Sequence, residues 1–177
     1  MKLVILDRDG TINEDSDQYI KSPLEWKPIP GSLEAIARLI QADYRVVVAT
    51  NQSGIARGLF DTQTLFAIHD KLQRALGLAG GRIDAFFFCP HKPDDGCRCR
   101  KPQPGMLLEV ARRFNVAIED VFMVGDSRKD LEAAVAAGAR PVLVLTGSGA
   151  KTQAEGNLPR GTAVFPDLGA FAKQLAP

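Results

Sequence analysis

The stretch that decides the fold is Lys2-Leu3-Val4-Ile5-Leu6-Asp7-Arg8-Asp9-Gly10-Thr11. Its residues Leu3 to Leu6 are all apolar and predict a strand that is buried on both faces, as in a parallel sheet. Two carboxylates one residue apart follow at once, and Gly10 predicts a sharp backbone turn after them. Because ligands bind at the carboxyl ends of strands in open parallel sheets, these acids indicate a metal or reaction centre. The simpler alternative is a solvated Asp-Gly turn.

Strands and helices alternate along the rest of the sequence. Apolar, β-branched runs predict further strands at residues 45–50, 85–88, 121–124, 141–145 and 163–165. Apolar residues at helical spacing predict helices that begin near Ser32, Asp61, Pro104, Ser127 and Leu168. This alternation predicts an α/β fold, a doubly wound, mainly parallel, Rossmann-like sheet with right-handed crossovers. The 177 residues suffice for one such domain, residues 1–177, without a large cap domain.

Two segments lack the periodicity of either element. Residues 13–30 contain three prolines and predict a long loop, a flap that contacts the substrate. Within this loop, Trp26 and Tyr19 could contact a ligand or, equally, anchor the loop to the body of the protein. The Gly-Ser-Gly run at residues 147–149 predicts a flexible loop.

His69 lies off the apolar face of its helix and is predicted to be a surface residue.

Composition and charge exclude several classes of function. The formal net charge of +1 gives no electrostatic basis for binding nucleic acid or an anionic membrane. No apolar run approaches the roughly 18 residues that span a bilayer. The apolar run Leu3–Leu6 is also too short for the core of a signal peptide. We therefore expect a cytoplasmic monomer that acts on a small molecule.

Polar side chains follow several of the predicted strands. Asp7 and Asp9 follow the first strand, Thr50 ends the second, and Asp126 follows the fourth. Three carboxylates that converge at one edge repel one another unless a cation lies between them, and oxygen ligands suit Mg²⁺. Thr50 and the amides after it donate hydrogen bonds without charge, as a phosphate needs, while Lys101 adds a positive charge. The sequence therefore predicts a site for Mg²⁺ and a phosphate group.

All three cysteines lie within eleven residues of the chain. Cys89, Cys97 and Cys99 offer three thiolates, and His91 between them offers an imidazole. Four such ligands match a closed, structural zinc site. The alternative, free thiols beside an incidental histidine, is disfavoured by the clustering. We predict a zinc-binding loop at residues 89–99 that fixes Arg100 and Lys101 directly after it.

The same residues resemble a known family. The four motifs of the haloacid dehalogenase-like phosphohydrolases are similar, in order, to Asp7-Arg8-Asp9-Gly10-Thr11, Thr50-Asn51, Lys101 and Gly125-Asp126-Ser127-Arg128-Lys129-Asp130. The resemblance implies that Asp7 attacks phosphorus to form an aspartyl-phosphate, and that Asp9 protonates the leaving oxygen and then activates water. It further implies that Asp7, Asp126 and the main-chain carbonyl of Asp9 hold Mg²⁺. Thr50 and Lys101 would stabilise charge on the phosphoryl group.

The cysteine loop narrows this resemblance. The histidinol-phosphatase-like subgroup has a loop that resembles Cys89-Pro90-His91 with Cys97-Arg98-Cys99-Arg100-Lys101-Pro102. That subgroup contains histidinol-phosphate phosphatases and D-glycero-D-manno-heptose 1,7-bisphosphate 7-phosphatases, and residues 50–58 and 100–106 are similar to the heptose enzymes. The likeness implies hydrolysis of the 7-phosphate of a heptose bisphosphate. Such a reaction supplies activated heptose for lipopolysaccharide or other surface polysaccharides.

The residues that would contact such a substrate follow from the same likeness. Arg57 and Arg100 fit a polyanionic sugar bisphosphate, since a guanidinium binds phosphate bidentately. The predicted substrate contacts are Asn51, Gln52, Ser53, Arg57, Arg100 and Lys101. A weaker local similarity adds Asp15, Ser16, Asp17 and Gln18, and Ser127 and Asp130 of the last motif are further candidate site residues.

Several alternatives remain open on the sequence. A histidinol-phosphate phosphatase would use the same chemistry, and the anomer at C1 of a heptose substrate is undetermined. A non-catalytic zinc-containing binding module would lack some of the acids, whereas the motif set here is complete. A phosphate-transferring mutase would need a larger cap to exclude water. Arg57 could be a solvated loop residue, and Asp130 could either support the site or be an exposed acid in the first turn of its helix.

Overall fold

Six parallel strands form the central sheet of the structure, a computed structural model that describes residues 1–177. The strands are β1 (Lys2–Leu6), β2 (Tyr44–Asn51), β3 (Ala85–Cys89), β4 (Phe122–Gly125), β5 (Arg140–Val144) and β6 (Ala163–Phe165). Their spatial order is β3-β2-β1-β4-β5-β6, and all neighbouring pairs are parallel. The predicted doubly wound α/β fold is therefore confirmed.

Six α-helices pack with the strands; five connect successive strands and the sixth follows the last strand. They are α1 (Ser32–Gln41), α2 (Thr62–Leu78), α3 (Gly105–Phe114), α4 (Arg128–Ala137), α5 (Gly149–Ala154) and α6 (Leu168–Leu175), with 3₁₀ turns at Pro93–Asp95 and Ile118–Asp120. Local chemistry determines their ends. The Asp61 side chain caps α2 by accepting a hydrogen bond from the Thr64 main-chain N–H at 2.8 Å. Gly138 ends α4 with a φ of +86°.

Helix α5 corrects the prediction of a flexible loop at residues 147–149. Gly149 is the first residue of this helix, and its main-chain N–H donates to the Thr146 carbonyl at 2.8 Å. A Cβ on Gly149 would overlap the main-chain carbonyl of Val144. Because glycine serves close backbone packing here rather than mobility, composition alone gave the wrong prediction.

Strand residues alternate between two hydrophobic cores, one on each face of the sheet. Val4 and Leu6 of β1 join the core under α1, α2 and α6, whereas Leu3 and Ile5 join the core under α3 and α4. All four side chains are almost completely buried. This burial on both faces explains the continuous apolar runs of the sequence.

The strand order reverses between β1 and β4, because β2 and β3 lie on one side of β1 while β4 to β6 lie on the other. Crossovers on opposite sides of this point leave a cleft at the carboxyl ends of β1 and β4. The polar residues after these strands therefore surround one cleft.

No helix combines the length and the apolar character that crossing a membrane requires.

The loop at residues 13–30 is held to the body of the protein by Trp26, which is 2% exposed. Lys71 of α2 supports this anchor by donating to the main-chain carbonyls of Pro23 and Trp26 at 2.6 and 3.1 Å. Trp26 is therefore an anchor of the loop rather than a ligand contact. Tyr19 is half-buried and lines the cleft.

His69 of α2 corrects the sequence analysis, which predicted a surface residue. The residue is only 5% exposed, and its ring stacks on Phe86 of β3 with centroids 4.2 Å apart. Its Nε2 lies 3.3 Å from the Arg8 guanidinium. His69 lies four residues after Leu65 and three before Leu72, so it shares the buried face of α2, and its polar side chain alone led to the wrong prediction.

Candidate active site

A polar cleft of about 330 Å³ lies at the carboxyl ends of β1, β2 and β4. Of the 17 residues that line it, only two are hydrophobic. The predicted site residues among them are Asp7, Asp9, Asp15, Ser16, Thr50, Asn51, Gln52, Ser53, Arg100, Lys101, Asp126, Ser127 and Asp130. The fold thus brings residues from four distant parts of the chain into one cleft.

Three carboxylates meet at the bottom of this cleft. Asp7, Asp126 and Asp130 each place one oxygen within 4.8 Å of the others. Burial and the charge of Asp130 raise the pKa of Asp7 to about 7. Burial and the charge of Asp7 raise the pKa of Asp126 to about 8. These acids therefore carry more negative charge than the protein alone compensates, which is the electrostatic condition for binding a cation.

The pKa shifts of Asp7 and Asp126 predict how the protein responds to pH when Mg²⁺ is omitted. Between the ordinary pKa of 3.8 and the raised values of about 7 and 8, the folded chain retains protons that the unfolded chain has released. The free energy of unfolding should therefore fall as the pH rises through this window.

Urea unfolding at several pH values would measure this slope, with Mg²⁺ omitted rather than chelated so that the cysteine cluster stays intact. Saturating Mg²⁺ should flatten the slope, because the cation replaces the protons as the compensating charge. A slope that is the same with and without Mg²⁺ would show that the cation does not bind these acids.

Lys101 is the positive charge that the chain itself supplies to these acids. Its Nζ lies 2.9 Å from Asp7 Oδ1 and 2.6 Å from Asp130 Oδ1, and it donates to the main-chain carbonyl of Ala49 at 2.8 Å. Burial disfavours the ammonium, but the two carboxylates outweigh it and raise the pKa of Lys101 above its usual value. Lys101 is therefore charged at the edge of the cleft.

Asp130 is a buried acid whose carboxylate holds Lys101, and it is not an exposed acid. Only 1% of the residue is exposed, and its Oδ2 accepts hydrogen bonds from the main-chain N–H and the hydroxyl of Ser127 at 3.0 and 2.7 Å. A Cβ on Gly125 would overlap the Asp130 side chain, so this close packing requires glycine. Ser127 and Gly125 together fix the carboxylate that holds Lys101.

Asn51, predicted to contact substrate, has another role in the structure. Its side-chain Nδ2 donates to the main-chain carbonyl of Lys101, and its Oδ1 accepts from the main-chain N–H of Lys101, both at 3.0 Å. This reciprocal pair joins the end of β2 to the segment after the cysteine loop. Asn51 therefore fixes the backbone from which Lys101 reaches the acids.

The Asp9 carboxylate is held by several donors. Gln52 Nε2 donates to Asp9 Oδ2 at 3.0 Å and to the Thr50 hydroxyl at 2.9 Å. Asn13 Nδ2 donates to Asp9 Oδ1 at 2.9 Å, and the Arg8 guanidinium contacts both oxygens. The predicted substrate contact Gln52 thus connects Asp9 to Thr50.

Two glycines allow the backbone to approach Asp126. Gly10 has a φ of +80°, and a Cβ on Gly10 or on Gly147 would overlap the Asp126 carboxylate. The Thr146 hydroxyl donates to the Gly10 carbonyl at 2.7 Å, and the Ser148 main-chain N–H donates to Asp126 Oδ2 at 2.7 Å. Glycine at these positions keeps Asp126 next to the turn after Asp9.

The four predicted zinc ligands lie together beside the cleft. Cys89 Sγ is 3.6 Å from Cys97 Sγ, 3.1 Å from Cys99 Sγ and 3.4 Å from His91 Nδ1. The Cys89–Cys97 and Cys89–His91 separations are near the roughly 3.5–3.8 Å edges of a tetrahedral zinc site, and the Cys89–Cys99 pair lies closer. Burial and the hydrogen bond from Cys99 raise the pKa of Cys89 to about 12, so a cation is required to keep its thiol deprotonated.

Some predicted contacts lie outside the cleft. Arg57 is exposed and does not line it, in agreement with the alternative of a solvated loop residue. Asp17 and Gln18 are exposed and do not line the cleft either. Three further lining residues, Ile20, Lys129 and Ser148, were missed. Lys129 lies within the last motif, whereas nothing in the Gly-Ser-Gly run marks Ser148 as a neighbour of Asp126.

Comparison with known proteins gives closely related sequences. A family model described as "HAD-hyrolase-like" matches residues 98–171. The D-glycero-beta-D-manno-heptose-1,7-bisphosphate 7-phosphatase of Bordetella bronchiseptica is 63% identical over 99% of this chain and 98% of its own length. Proteins of the same name from Pseudomonas putida and Neisseria meningitidis are 54% and 49% identical over 99% of this chain and 99% and 95% of their own.

Solved structures of two relatives share the fold. The D,D-heptose 1,7-bisphosphate phosphatase from B. bronchiseptica, crystallised with magnesium and phosphate, superposes with a TM-score of 0.97 over 99% of this chain and 98% of its own, at 63% identity. The corresponding enzyme from Burkholderia thailandensis has a TM-score of 0.79 and 54% identity over 98% of this chain and 97% of its own.

Proposed function

This chain belongs to the D-glycero-beta-D-manno-heptose-1,7-bisphosphate 7-phosphatases, and from that membership we propose that it removes the 7-phosphate from the β anomer of the sugar bisphosphate. The sequence left the anomer open, and the beta form in the names of the relatives supports this choice. The predicted haloacid dehalogenase-like family and sugar bisphosphate phosphatase activity are both confirmed. The reaction contributes to the heptose supply for lipopolysaccharide.

The convergence of Asp7, Asp126 and Lys101 in one polar cleft is the observation that carries this function. A phosphoryl group needs a nucleophile, a compensating cation and fixed positive charge, and the cleft provides a place for each. Asp7 and Asp126, with the main-chain carbonyl of Asp9, would hold Mg²⁺. When bound, Mg²⁺ neutralises charge on the phosphoryl oxygens. The relative crystallised with magnesium and phosphate supports this assignment.

The chain's own residues carry out two displacements. In the first, a carboxylate oxygen of Asp7 bonds to phosphorus, the bond from phosphorus to the sugar oxygen breaks, and Asp9 gives that oxygen its proton. In the second, water attacks phosphorus, Asp9 takes its proton, and the bond to Asp7 breaks to release phosphate. Thr50 and Lys101 line the cleft where the phosphoryl group develops charge.

Further cationic and polar groups would bind the remainder of the substrate. Arg100 and Lys129 line the cleft on the side of the cysteine loop, and Ser53 lies among the small donors after β2. Arg100 donates to the main-chain carbonyl of His91 at 3.3 Å, which connects its position to the predicted zinc loop. Asp15 and Ser16 bring the 13–30 loop to the same cleft. We assign these groups to the sugar and its second phosphate.

The second candidate, a histidinol-phosphate phosphatase, differs in the charge of its substrate. A sugar bisphosphate carries two phosphates, which Arg100 and Lys129 match, whereas histidinol phosphate carries an ammonium group that these cations would repel. Measuring kcat/KM for both substrates with Mg²⁺ separates the candidates. We expect a strong preference for the heptose bisphosphate, and a preference for histidinol phosphate would overturn the assignment.

The cysteine cluster is proposed to bind one zinc ion in a structural role, through Cys89, His91, Cys97 and Cys99. Three reduced thiols suit a reducing compartment, so the cytoplasm is the proposed location. The closed set of four protein ligands leaves no position for substrate. Zinc would instead hold the loop from which Arg100 and Lys101 continue.

Metal analysis tests this zinc site directly. We expect about one zinc per chain in protein purified without chelator. Removing it should cost about 2 kcal/mol or more, which lowers the midpoint of thermal unfolding by roughly 4–8 °C for a chain of this size. Adding Zn²⁺ should restore the midpoint and Mg²⁺ should not. Protein that contains no zinc, or that loses it without a change in stability, would contradict the proposal.

A further inference from the structure

Arg8 is the side chain between the two acids, and the chemistry proposed above gives it no task. It is completely buried and does not line the cleft, so it does not touch the substrate. Arginine is almost never fully buried unless its donors are paired. The neighbours of its guanidinium therefore indicate what it does.

The guanidinium binds both oxygens of Asp9. Arg8 Nε donates to Asp9 Oδ1 at 2.9 Å, and one terminal nitrogen donates to Asp9 Oδ2 at 3.1 Å and lies 2.8 Å from Oδ1. This bidentate contact fixes the plane of the carboxylate as well as its position. Asn13 and Gln52 each donate to only one of the two oxygens.

The other terminal nitrogen of Arg8 is held by His69. The distance from this nitrogen to His69 Nε2 is 3.3 Å. Because a guanidinium only donates hydrogen bonds, Nε2 must be the acceptor, which places the ring proton on Nδ1 of a neutral imidazole. Burial and the charge of Arg8 lower the pKa of His69 to about 3, in agreement with this neutral form.

His69 is itself fixed by an aromatic neighbour. Its ring lies nearly parallel to that of Phe86, with 4.2 Å between centroids and 12° between planes. The contacts therefore form a continuous chain from Phe86 of β3 through His69 of α2 to Arg8 and Asp9. Each group in it is buried except the Phe86 ring and the Asp9 carboxylate, which faces the cleft.

We infer that Arg8, held by His69, is a positioning residue that fixes the direction in which the Asp9 carboxylate faces the leaving oxygen. This inference rests on the proposed function, in which Asp9 transfers the proton. A misplaced acid affects substrates unequally. A sugar oxygen leaves only when it is protonated, whereas 4-nitrophenolate is stable as an anion and needs little help from Asp9.

Single-turnover phosphorylation of the enzyme tests the inference, because it isolates the step in which Asp9 acts as an acid. Arg8→Lys keeps the positive charge and loses the bidentate contact with the Asp9 carboxylate. We expect it to slow phosphorylation by the heptose bisphosphate by about tenfold or more, and phosphorylation by 4-nitrophenyl phosphate by less than about threefold, since that leaving group needs little protonation. A merely structural role would slow both reactions alike, which would overturn the inference.

Two variants of His69 keep the test decisive if Arg8→Lys does not fold. His69→Phe preserves the stacking and removes the acceptor, whereas His69→Gln retains an acceptor near the position of Nε2. We expect His69→Phe to show the same unequal loss and His69→Gln to restore most of it. A folded His69→Phe variant with native rates on both substrates would overturn the inference. A native protein that does not turn over the heptose bisphosphate would instead count against the proposed function.

Discussion

Replacement of Asp7 by asparagine should abolish turnover while the protein remains folded. Asparagine keeps the shape of the side chain but cannot form the bond to phosphorus, so kcat should fall by roughly 10⁴-fold or more. The fold should persist because Lys101 keeps its contacts with Asp130 and with the Ala49 carbonyl. Phosphate release measures the loss, and circular dichroism checks the fold.

A matched variant sharpens this prediction. Asp9→Asn retains the nucleophile and removes the proton carrier, so it should still accept a phosphoryl group from 4-nitrophenyl phosphate and release it slowly. Intact-protein mass spectrometry should detect that phosphorylated species in Asp9→Asn and not in Asp7→Asn. Hydrolysis at the native rate by folded Asp7→Asn would contradict the assignment of the nucleophile.

Replacement of Lys101 by methionine should affect both stability and activity. Lys101 is 1% exposed and lies within 3 Å of two carboxylates, so its removal leaves buried negative charge without a partner. Breaking a buried ion pair in this way costs about 3–5 kcal/mol. Activity should also fall by roughly 10²-fold or more, because a fixed positive charge at the phosphoryl group is lost.

The Asp130→Asn variant serves as the control for Lys101→Met. Combining the two changes removes the buried charge on both sides, so the double variant should lose less free energy of unfolding than the two single losses added together. Urea unfolding of the native protein and the three variants measures this coupling. Losses that simply add would show that Lys101 and Asp130 do not stabilise one another.

The convergence of the residues proposed to react could be predicted from the sequence because they lie at the ends of strands. Asp7, Thr50 and Asp126 lie at the carboxyl ends of β1, β2 and β4, and parallel strands bring those ends together whatever their exact lengths. The cysteine cluster was also predictable from spacing, because four potential ligands in one short segment cannot lie far apart. Chain order alone was sufficient for these sites.

The supporting contacts could not be predicted, because they depend on which side chains meet across elements. Asn51 and Gln52 have the polar character of substrate contacts, yet they bind the Lys101 backbone and Asp9. His69 lies 61 positions from Arg8 in sequence, and no local pattern connects them. These interactions became visible only in the folded structure, where the end of β2 meets Lys101 and Asp9, and where α2 brings His69 to Arg8.

Phosphorus NMR of the reaction with the β anomer of heptose 1,7-bisphosphate and Mg²⁺ tests most directly which bond this protein cleaves. We predict that the resonance of the 7-phosphate disappears, that inorganic phosphate appears in equal amount, and that the 1-phosphate resonance persists. Loss of the 1-phosphate with the 7-phosphate intact, or an unchanged spectrum with folded, Mg²⁺-loaded protein, would contradict the proposed function.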